Sequence, residues 1–282
     1  MDMNTISAMV PTTDPNEFRD GDAWLAGGTV LFSYGSQSLN RLLDITAAGW
    51  EPVTISTAGI EFAATCTIAR LYALAQDPAL PTAWIAANLF RPACDSFVAS
   101  FKIWNLSTMG GNIATSLPAG PIISLCSALD ARLLILSPGG SQRHQSVTDF
   151  ISGEAKNSLA PGELIRSIFI PAHALSARTA FRRLSLTNLG RTGVMVIGRV
   201  DPDGLFTLTV SGSTPRPRQF RFPVGEHPSP ASLVHRLEET LSLNDYHDDI
   251  HGRPAWRRAM TLRLSVEVLN ELLSSPGTGI ER

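Results

Sequence analysis

The sequence predicts a mixed α+β protein built as two domains, residues 1–175 and 176–282. Three observations lead there. Short apolar, β-branched runs alternate with helix-length segments through the first 170 residues. Near Ala174–Arg178 the character changes, with Arg178, Arg182, Arg183 and Arg191 concentrating positive charge before a clear hairpin signal. The 282 residues, 44% hydrophobic and 17% charged, suit a folded chain long enough for two domains or one large one.

Taken in order, residues 1–20 read as an irregular or weakly helical lead-in, because Pro11 and Pro15 break any periodicity. A strand over Ala23–Ala26 feeds the turn Gly27-Gly28-Thr29. A helical or irregular piece then runs into a strand at Arg41–Ile45, and Glu51–Ser56 and Gly59–Ala64 have strand composition. Thr67 is placed to cap a helix over Ile68–Ala75 that ends at Asp77-Pro78. A second helix is expected over Asp95–Phe101, followed by a loop from Asn105 to Asn112. A buried helix at Ile122–Leu129 precedes a strand at Ala131–Leu136, a turn at Pro138-Gly139-Gly140, and a strand at Glu163–Ile170 stopped by Pro171. Beyond the boundary, Val194–Val200 pairs with Leu205–Val210 across Asp201-Pro202-Asp203-Gly204. The Pro/Arg-rich stretch Ser213–Phe222 reads as a loop, and helices at Pro230–Leu241 and Pro254–Leu273 close the chain.

Charge and composition exclude several roles. With 23 basic against 25 acidic groups, the formal charge of −2 gives no footprint for nucleic acid or anionic membrane. No apolar run approaches the eighteen or so residues needed to span a bilayer, and Asp2, Asp14, Glu17 and Asp20 interrupt any leader-like segment, so a soluble cytoplasmic protein is expected. Cys66, Cys94 and Cys126 are scattered and odd in number, unlike the four close thiolates of an iron–sulfur site. His247 and His251 share i, i+4 spacing, yet Asp245, Asp248, Asp249 and Gly252 around them indicate a solvated loop, and no metal site is expected.

Two diglycine segments stand out. Leu25-Ala26-Gly27-Gly28-Thr29-Val30-Leu31 is a strand entering a double-glycine turn, where glycine lets successive N–H groups converge on an anion. Ser107-Thr108-Met109-Gly110-Gly111-Asn112-Ile113-Ala114-Thr115 repeats the pair among hydroxyl and amide side chains. The glycine spacings of dinucleotide-binding Rossmann domains and of P-loops are both absent. There is also no nucleophile beside a base motif and no obvious pair of carboxylates, so no catalytic residue is nominated. Read from the residues alone, this is a protein of mixed helices and strands with two candidate anion-binding turns.

Together the two segments resemble the paired flavin signature of the FAD-binding subunits of molybdenum hydroxylases, the family of xanthine dehydrogenase and carbon monoxide dehydrogenase. Ala63–Ala69, Ser127–Ala131, Asp149–Gly153, Pro161–Ile165, Ile168–Pro171, Gly212–Pro217 and Trp256–Arg258 follow the same family in order. The resemblance implies a two-subdomain FAD-binding domain of the vanillyl-alcohol-oxidase (PCMH) type over residues 1–175, followed by a smaller α+β C-terminal domain. It implies FAD held between them as a non-covalent cofactor. Ala26, Gly27, Gly28, Thr29, Val30 and Leu31 would serve the pyrophosphate and ribityl chain, with Thr108, Gly110, Gly111, Asn112 and Thr115 along the same groups. Leu164 and Ile165 would contact the ring systems, and Arg182 would stand near the flavin as a cation.

Two positions depart from that pattern. Gly120-Pro121 stand where family members often carry Ser-Asp, and Trp104 replaces an arginine. The implied role is electron relay. Iron–sulfur clusters (2Fe-2S) on a partner subunit or domain would feed FAD, and a molybdopterin-binding large subunit would hydroxylate the substrate. A stand-alone flavin oxidase and a flavin-less assembly subunit remain the competing readings.

Overall fold

A computed structural model describes residues 3–273. The chain opens with β1 (Ala8–Pro11), β2 (Asp22–Leu25), the short helix α1 (Leu31–Tyr34) and β3 (Arg41–Asp44). These strands form a parallel sheet in the order β1-β3-β2, so the Gly27-Gly28 turn leaves the carboxyl end of β2. The Arg41 guanidinium lies 2.6 Å from Asp22 and holds its carboxyl below the usual range, tying the amino ends of β2 and β3 together.

Next come β4 (Val53–Ser56), β5 (Gly59–Ala63), α2 (Ile68–Leu74), α3 (Phe90–Asp95), α4 (Phe101–Leu106), α5 (Met109–Thr115), α6 (Pro121–Ala128), β6 (Arg132–Leu136) and β7 (Gln142–Ser146). They are followed by α7 (Val147–Phe150), the small hairpin β8 (Ile151–Gly153) and β9 (Lys156–Asn157), β10 (Leu164–Pro171) and α8 (Ala172–Leu175). β10 is the centre of an antiparallel sheet ordered β4-β5-β10-β6-β7. The helices bury Leu71, Phe90, Met109 and Leu125 against Phe62, Leu133 and Ile168 of that sheet. Thr67 caps α2 by accepting from the Arg70 N–H at 3.2 Å. Cys66, Cys94 and Cys126 are free and buried here, and burial pushes the thiols of Cys66 and Cys94 up to about 12.

The remaining elements are β11 (Arg178–Leu184), β12 (Val194–Val200), β13 (Phe206–Ser211), β14 (Arg218–Phe222), α9 (Pro230–Thr240) and α10 (Pro254–Leu273). The four strands form an antiparallel meander in chain order. β12 is buried along its whole length and faces two cores. Met195 and Ile197 join the core of the preceding sheet, whereas Val194 and Val196 join a second core with α9 and α10. Burial on both faces explains the unbroken run Val194–Ile197. A Cβ at Gly198 would lie 2.3 Å from Val268, so this glycine lets α10 settle onto the strand. The Trp256-Arg257 block also has a structural task. Arg257 is buried and donates to the carbonyls of Gly252 (2.8 Å) and Gly193 (2.6 Å), fixing the 247–252 loop against the sheet.

The structure departs from the sequence reading in five places. β1 lies in the stretch expected to be irregular. The helix expected at Asp95–Phe101 is replaced by α3 before it and α4 after it. Phe90, Ala93 and Cys94 are the apolar face that finds the core, whereas Phe101 is 83% exposed. The loop expected through Asn112 gives way to α5 from Met109, because the Thr108 hydroxyl caps the new helix. Arg178–Leu184 is an edge strand whose arginines lie on the meander's margin. The end of the expected 213–222 loop is β14, held because Phe220 is buried while Gln219 reaches back to the Ser127 carbonyl at 2.6 Å.

Candidate functional site

A cleft of about 630 Å³ opens where the first parallel sheet, the segments flanking α4, α5, the start of α6 and the β11–β12 loop meet. Its size falls within the range of small-molecule sites. Ala26, Gly27, Gly28, Thr29, Val30 and Leu31 form one wall, and Thr108, Gly111, Asn112 and Thr115 form another.

The first wall carries the anion-binding chemistry. The N–H groups of Gly27, Gly28, Thr29, Val30 and Leu31 have no acceptor among the described residues. Five consecutive main-chain donors beside a cavity are the makings of an anion nest. The turn holds that shape through close contacts. Gly28 has φ +68°, and a Cβ on it would lie 2.4 Å from the Phe32 ring. A Cβ on Gly27 would lie 1.8 Å from the Leu106 carbonyl oxygen, so the turn sits directly on the end of α4. The Thr29 and Ser107 hydroxyls, 3.0 Å apart, add a second tie.

The second diglycine is built differently from the turn expected. It is the first turn of α5, and its amides are already used. Met109 N–H donates to the Cys66 carbonyl (2.8 Å), Gly110 N–H to the Ala64 carbonyl (2.9 Å), and Gly111 N–H to the Thr108 hydroxyl (3.0 Å). Gly110 does not line the cleft. A Cβ there would lie 2.5 Å from that of Ala64, so the glycine serves packing. What this wall offers is side chains. Asn112, which lines the cavity, accepts at Oδ1 from the Ile122 N–H at 3.3 Å, joining α5 to α6, and its amide nitrogen has no acceptor among the described residues. The Thr115 hydroxyl donates to the Gly111 carbonyl at 2.7 Å.

Three other expected residues lie away from the cleft. Leu164 and Ile165 are buried in β10, within the central sheet. Arg182 is engaged by Glu267 (3.2 Å) and Glu271 (2.7 Å) on α10. The cation the structure does bring to the cavity is Arg191, on the loop between β11 and β12, accompanied by Leu189. The concentration of arginines there was visible in the sequence, but no spacing rule distinguished Arg191 from its neighbours. Serine and apolar residues at 96–98 complete the lining and carried no sequence signal.

The two departures noted in the sequence each have a structural role, and Gly120-Pro121 also borders the cleft. Pro121 occupies the first turn of α6, where its missing N–H costs nothing. Trp104 packs on Tyr72 with ring centroids 5.2 Å apart and donates to the Phe97 carbonyl at 3.0 Å.

A second, polar cleft lies on the far side of the central sheet, between Arg132, His144 and His173 on one side and Gln219 and Arg221 on the other. Among the described residues no group of three or more His, Cys, Asp or Glu side chains is placed to hold a metal ion. No helix among them is long and apolar enough to cross a membrane.

Comparison with known proteins gives the cleft a context. Residues 17–173 match the family described as the FAD binding domain in molybdopterin dehydrogenase. The nicotinate dehydrogenase FAD-subunit of Eubacterium barkeri is 33% identical over 120 residues, a match that covers 40% of each chain. Thus only two fifths of that relative is spanned. Among solved structures, a chain of quinoline 2-oxidoreductase from Pseudomonas putida 86 aligns with a TM-score of 0.75 at 20% identity, covering 97% of this chain and all of that one. A chain of carbon monoxide dehydrogenase from Hydrogenophaga pseudoflava aligns at 0.78 and 16% identity, covering 95% and 98%. At these identities the structures establish the fold, from the first parallel sheet through the C-terminal meander and helices.

Proposed function

The chain belongs to the family of FAD binding domains in molybdopterin dehydrogenases, and from that premise we propose that it binds FAD in the cleft and works as the electron-transfer subunit of a molybdopterin-dependent hydroxylase. The observation that carries this reading is the row of five open N–H groups from Gly27 to Leu31 on the cavity wall. They suit the pyrophosphate of a dinucleotide, whose charge is spread over oxygens that accept from several donors at once. The glycines that shape the nest let it lie directly against the Leu106 carbonyl and the Phe32 ring, where a Cβ would collide, and so hold its donors in one conformation.

In this reading residues 1–175 form a two-subdomain FAD domain of the vanillyl-alcohol-oxidase type, and residues 176–282 a second domain closing the cleft through Leu189 and Arg191. Main-chain donors of 27–31 hold the diphosphate. The Asn112 amide and the hydroxyls of Thr108 and Thr115 orient the neighbouring ribityl and phosphate groups. Gly110 supports them from behind. Bound FAD supplies reversible two-electron chemistry. The chain's own part is to bind it, orient it and exclude solvent. The substrate-activating centre belongs to a molybdopterin-binding large subunit, and electrons reach this chain from 2Fe-2S clusters of an iron–sulfur partner.

The test is direct. The purified chain should take up one FAD with the absorption bands of a bound flavin and release it intact on heating or acidification. Gly28→Val, which forces a side chain into the Phe32 ring at positive φ, should abolish uptake. A protein that stays colourless with excess FAD overturns the proposal. Co-purified partners carrying molybdenum and iron would establish the assembly, and a chain that alone is reduced by a small-molecule substrate would favour a stand-alone oxidase instead.

A further inference from the structure

Arg191 is the only ionisable side chain on the wall of the first cleft among the described residues. The rest of that wall is apolar, amide, hydroxyl or main chain. Arg191 itself makes no ion pair or hydrogen bond to any described residue, although most arginines of this chain do.

Its backbone position is fixed from both sides. Arg183 donates to the Thr192 hydroxyl at 2.8 Å and also to the Gly190 carbonyl, gripping the residues before and after Arg191. Gly190 N–H closes a turn on Thr187 (3.0 Å), and Gly193 N–H bonds the Leu184 carbonyl (2.9 Å). Further on, buried Arg257 binds the Gly193 carbonyl at 2.6 Å. A loop held so firmly while carrying an unpaired guanidinium at a cavity requires an account.

The nest at 27–31 supplies dipoles but no net charge. A diphosphate brings two negative charges into a cleft that holds neither acid nor any second cation. Guanidinium is the side chain suited to close that imbalance, because its planar donors match phosphate oxygens and it stays charged at any working pH. We propose that Arg191 sets the ligand selectivity of this cleft, favouring phosphate-bearing flavins over the uncharged flavin nucleoside by supplying the counter-charge to the diphosphate. This rests on the FAD reading above and names the residue that makes the site choose a nucleotide.

The experiment uses the full-length chain stripped of flavin. FAD and riboflavin are titrated by fluorescence quenching at several salt concentrations, into the wild type, R191Q and R191K. Arg191 is exposed, so neither variant threatens folding. R191Q should bind FAD about tenfold more weakly, leave riboflavin affinity within about twofold, and flatten the salt dependence of FAD binding. R191K should restore most of the affinity. The midpoint potential of bound FAD should stay where it is in the wild type. Equal losses for FAD and riboflavin, a shifted potential with unchanged FAD affinity, or no change in R191Q would each overturn the assignment while leaving FAD binding intact. A wild type that takes up neither flavin would sink the functional reading and this inference with it.

Discussion

Gly27 and Gly28 are neighbours in sequence but are required for different reasons. Gly28 needs its left-handed backbone, φ +68°, whereas Gly27 needs the absence of a side chain because the Leu106 carbonyl occupies the Cβ position. The obstacle at Gly27 is main chain and cannot swing aside, so even alanine must lift the turn away from α4. Gly27→Ala is therefore expected to weaken FAD binding by at least tenfold and to cost about 2 kcal/mol of stability, in the range of overpacked sites. Gly153→Ala provides the contrast. The nearest atom to its new Cβ would be Lys156 at 3.8 Å, an ordinary contact, and stability and FAD uptake should match the wild type. Parallel flavin titrations and thermal melts decide it, and equal behaviour of the two variants would remove the turn from the binding site. The same scale shows what the sequence concealed. Both diglycines look alike as text, yet one leaves its amides open and the other spends them on Ala64, Cys66 and Thr108. That difference depends on which carbonyls the fold brings near, and no local pattern encodes it.

At the scale of elements, legibility follows whether local chemistry or tertiary pairing decides the structure. α2 could be read because Thr67 caps it, and the β12–β13 hairpin because Asp201–Gly204 has the composition of a tight turn. α10 and β10 were equally visible, β10 from its strand-like composition and the proline that ends it. β1, β11 and β14 were missed because edge strands need pairing on one side only, and β14 consists largely of arginines and glutamine around Phe220. The tie between β7 and the start of β10 was invisible for a related reason. There Glu163 accepts from Arg143 (2.7 Å), the Ser137 hydroxyl (2.7 Å) and the Ala160 N–H (2.9 Å), partners contributed by three segments. Arg143 and these donors hold the Glu163 carboxyl down at about 2. The ionised form is thus favoured in the folded state, so this contribution is complete above the unfolded-state value near 4.5 and is lost as pH falls toward 2. Wild-type stability should decline between pH 5 and 2 by on the order of 2 kcal/mol more than that of Glu163→Gln, which has already lost the charge. Denaturant melts at pH 7 and pH 3 measure this, and identical slopes for the two proteins would show that the network contributes nothing.

For the whole molecule, the decisive fact is that the cleft is assembled from two separate parts of the chain. Its nest and its α5 wall come from the first 121 residues, while Leu189 and Arg191 arrive with the C-terminal meander. The join between these parts centres on α6, an eight-residue helix about 12 Å long and buried throughout. At its amino end Gly120 and Pro121 border the cleft, and nearby the Pro118 carbonyl accepts from Gly212 N–H at 3.0 Å. Midway, the Ser124 and Ser211 hydroxyls meet at 2.6 Å. At its carboxyl end fully buried Arg199 of β12 donates to the Ala128 carbonyl (2.8 Å), to Asp130 (2.5 Å) and to Asp201 (3.0 Å). Arg199 touches no part of the cleft, yet its loss should be felt there. Arg199→Ala leaves two carboxylates without their shared cation, a change that costs about 3–5 kcal/mol at buried sites. Arg221, whose side chain is 51% exposed, reaches Asp130 from outside, and Arg221→Ala should cost no more than about 1 kcal/mol. Because the Arg199 damage falls on the join, FAD affinity should fall with stability even though every cleft residue is unchanged. Saturating FAD, in the proposed seat between both parts, should then return part of the lost stability, about 2.7 kcal/mol at a hundredfold excess over its dissociation constant. Thermal melts of both variants with and without FAD carry the test. An Arg199→Ala protein with wild-type flavin affinity would mean that the two parts hold their arrangement without the Arg199 join, and that the cleft needs only the residues on its walls.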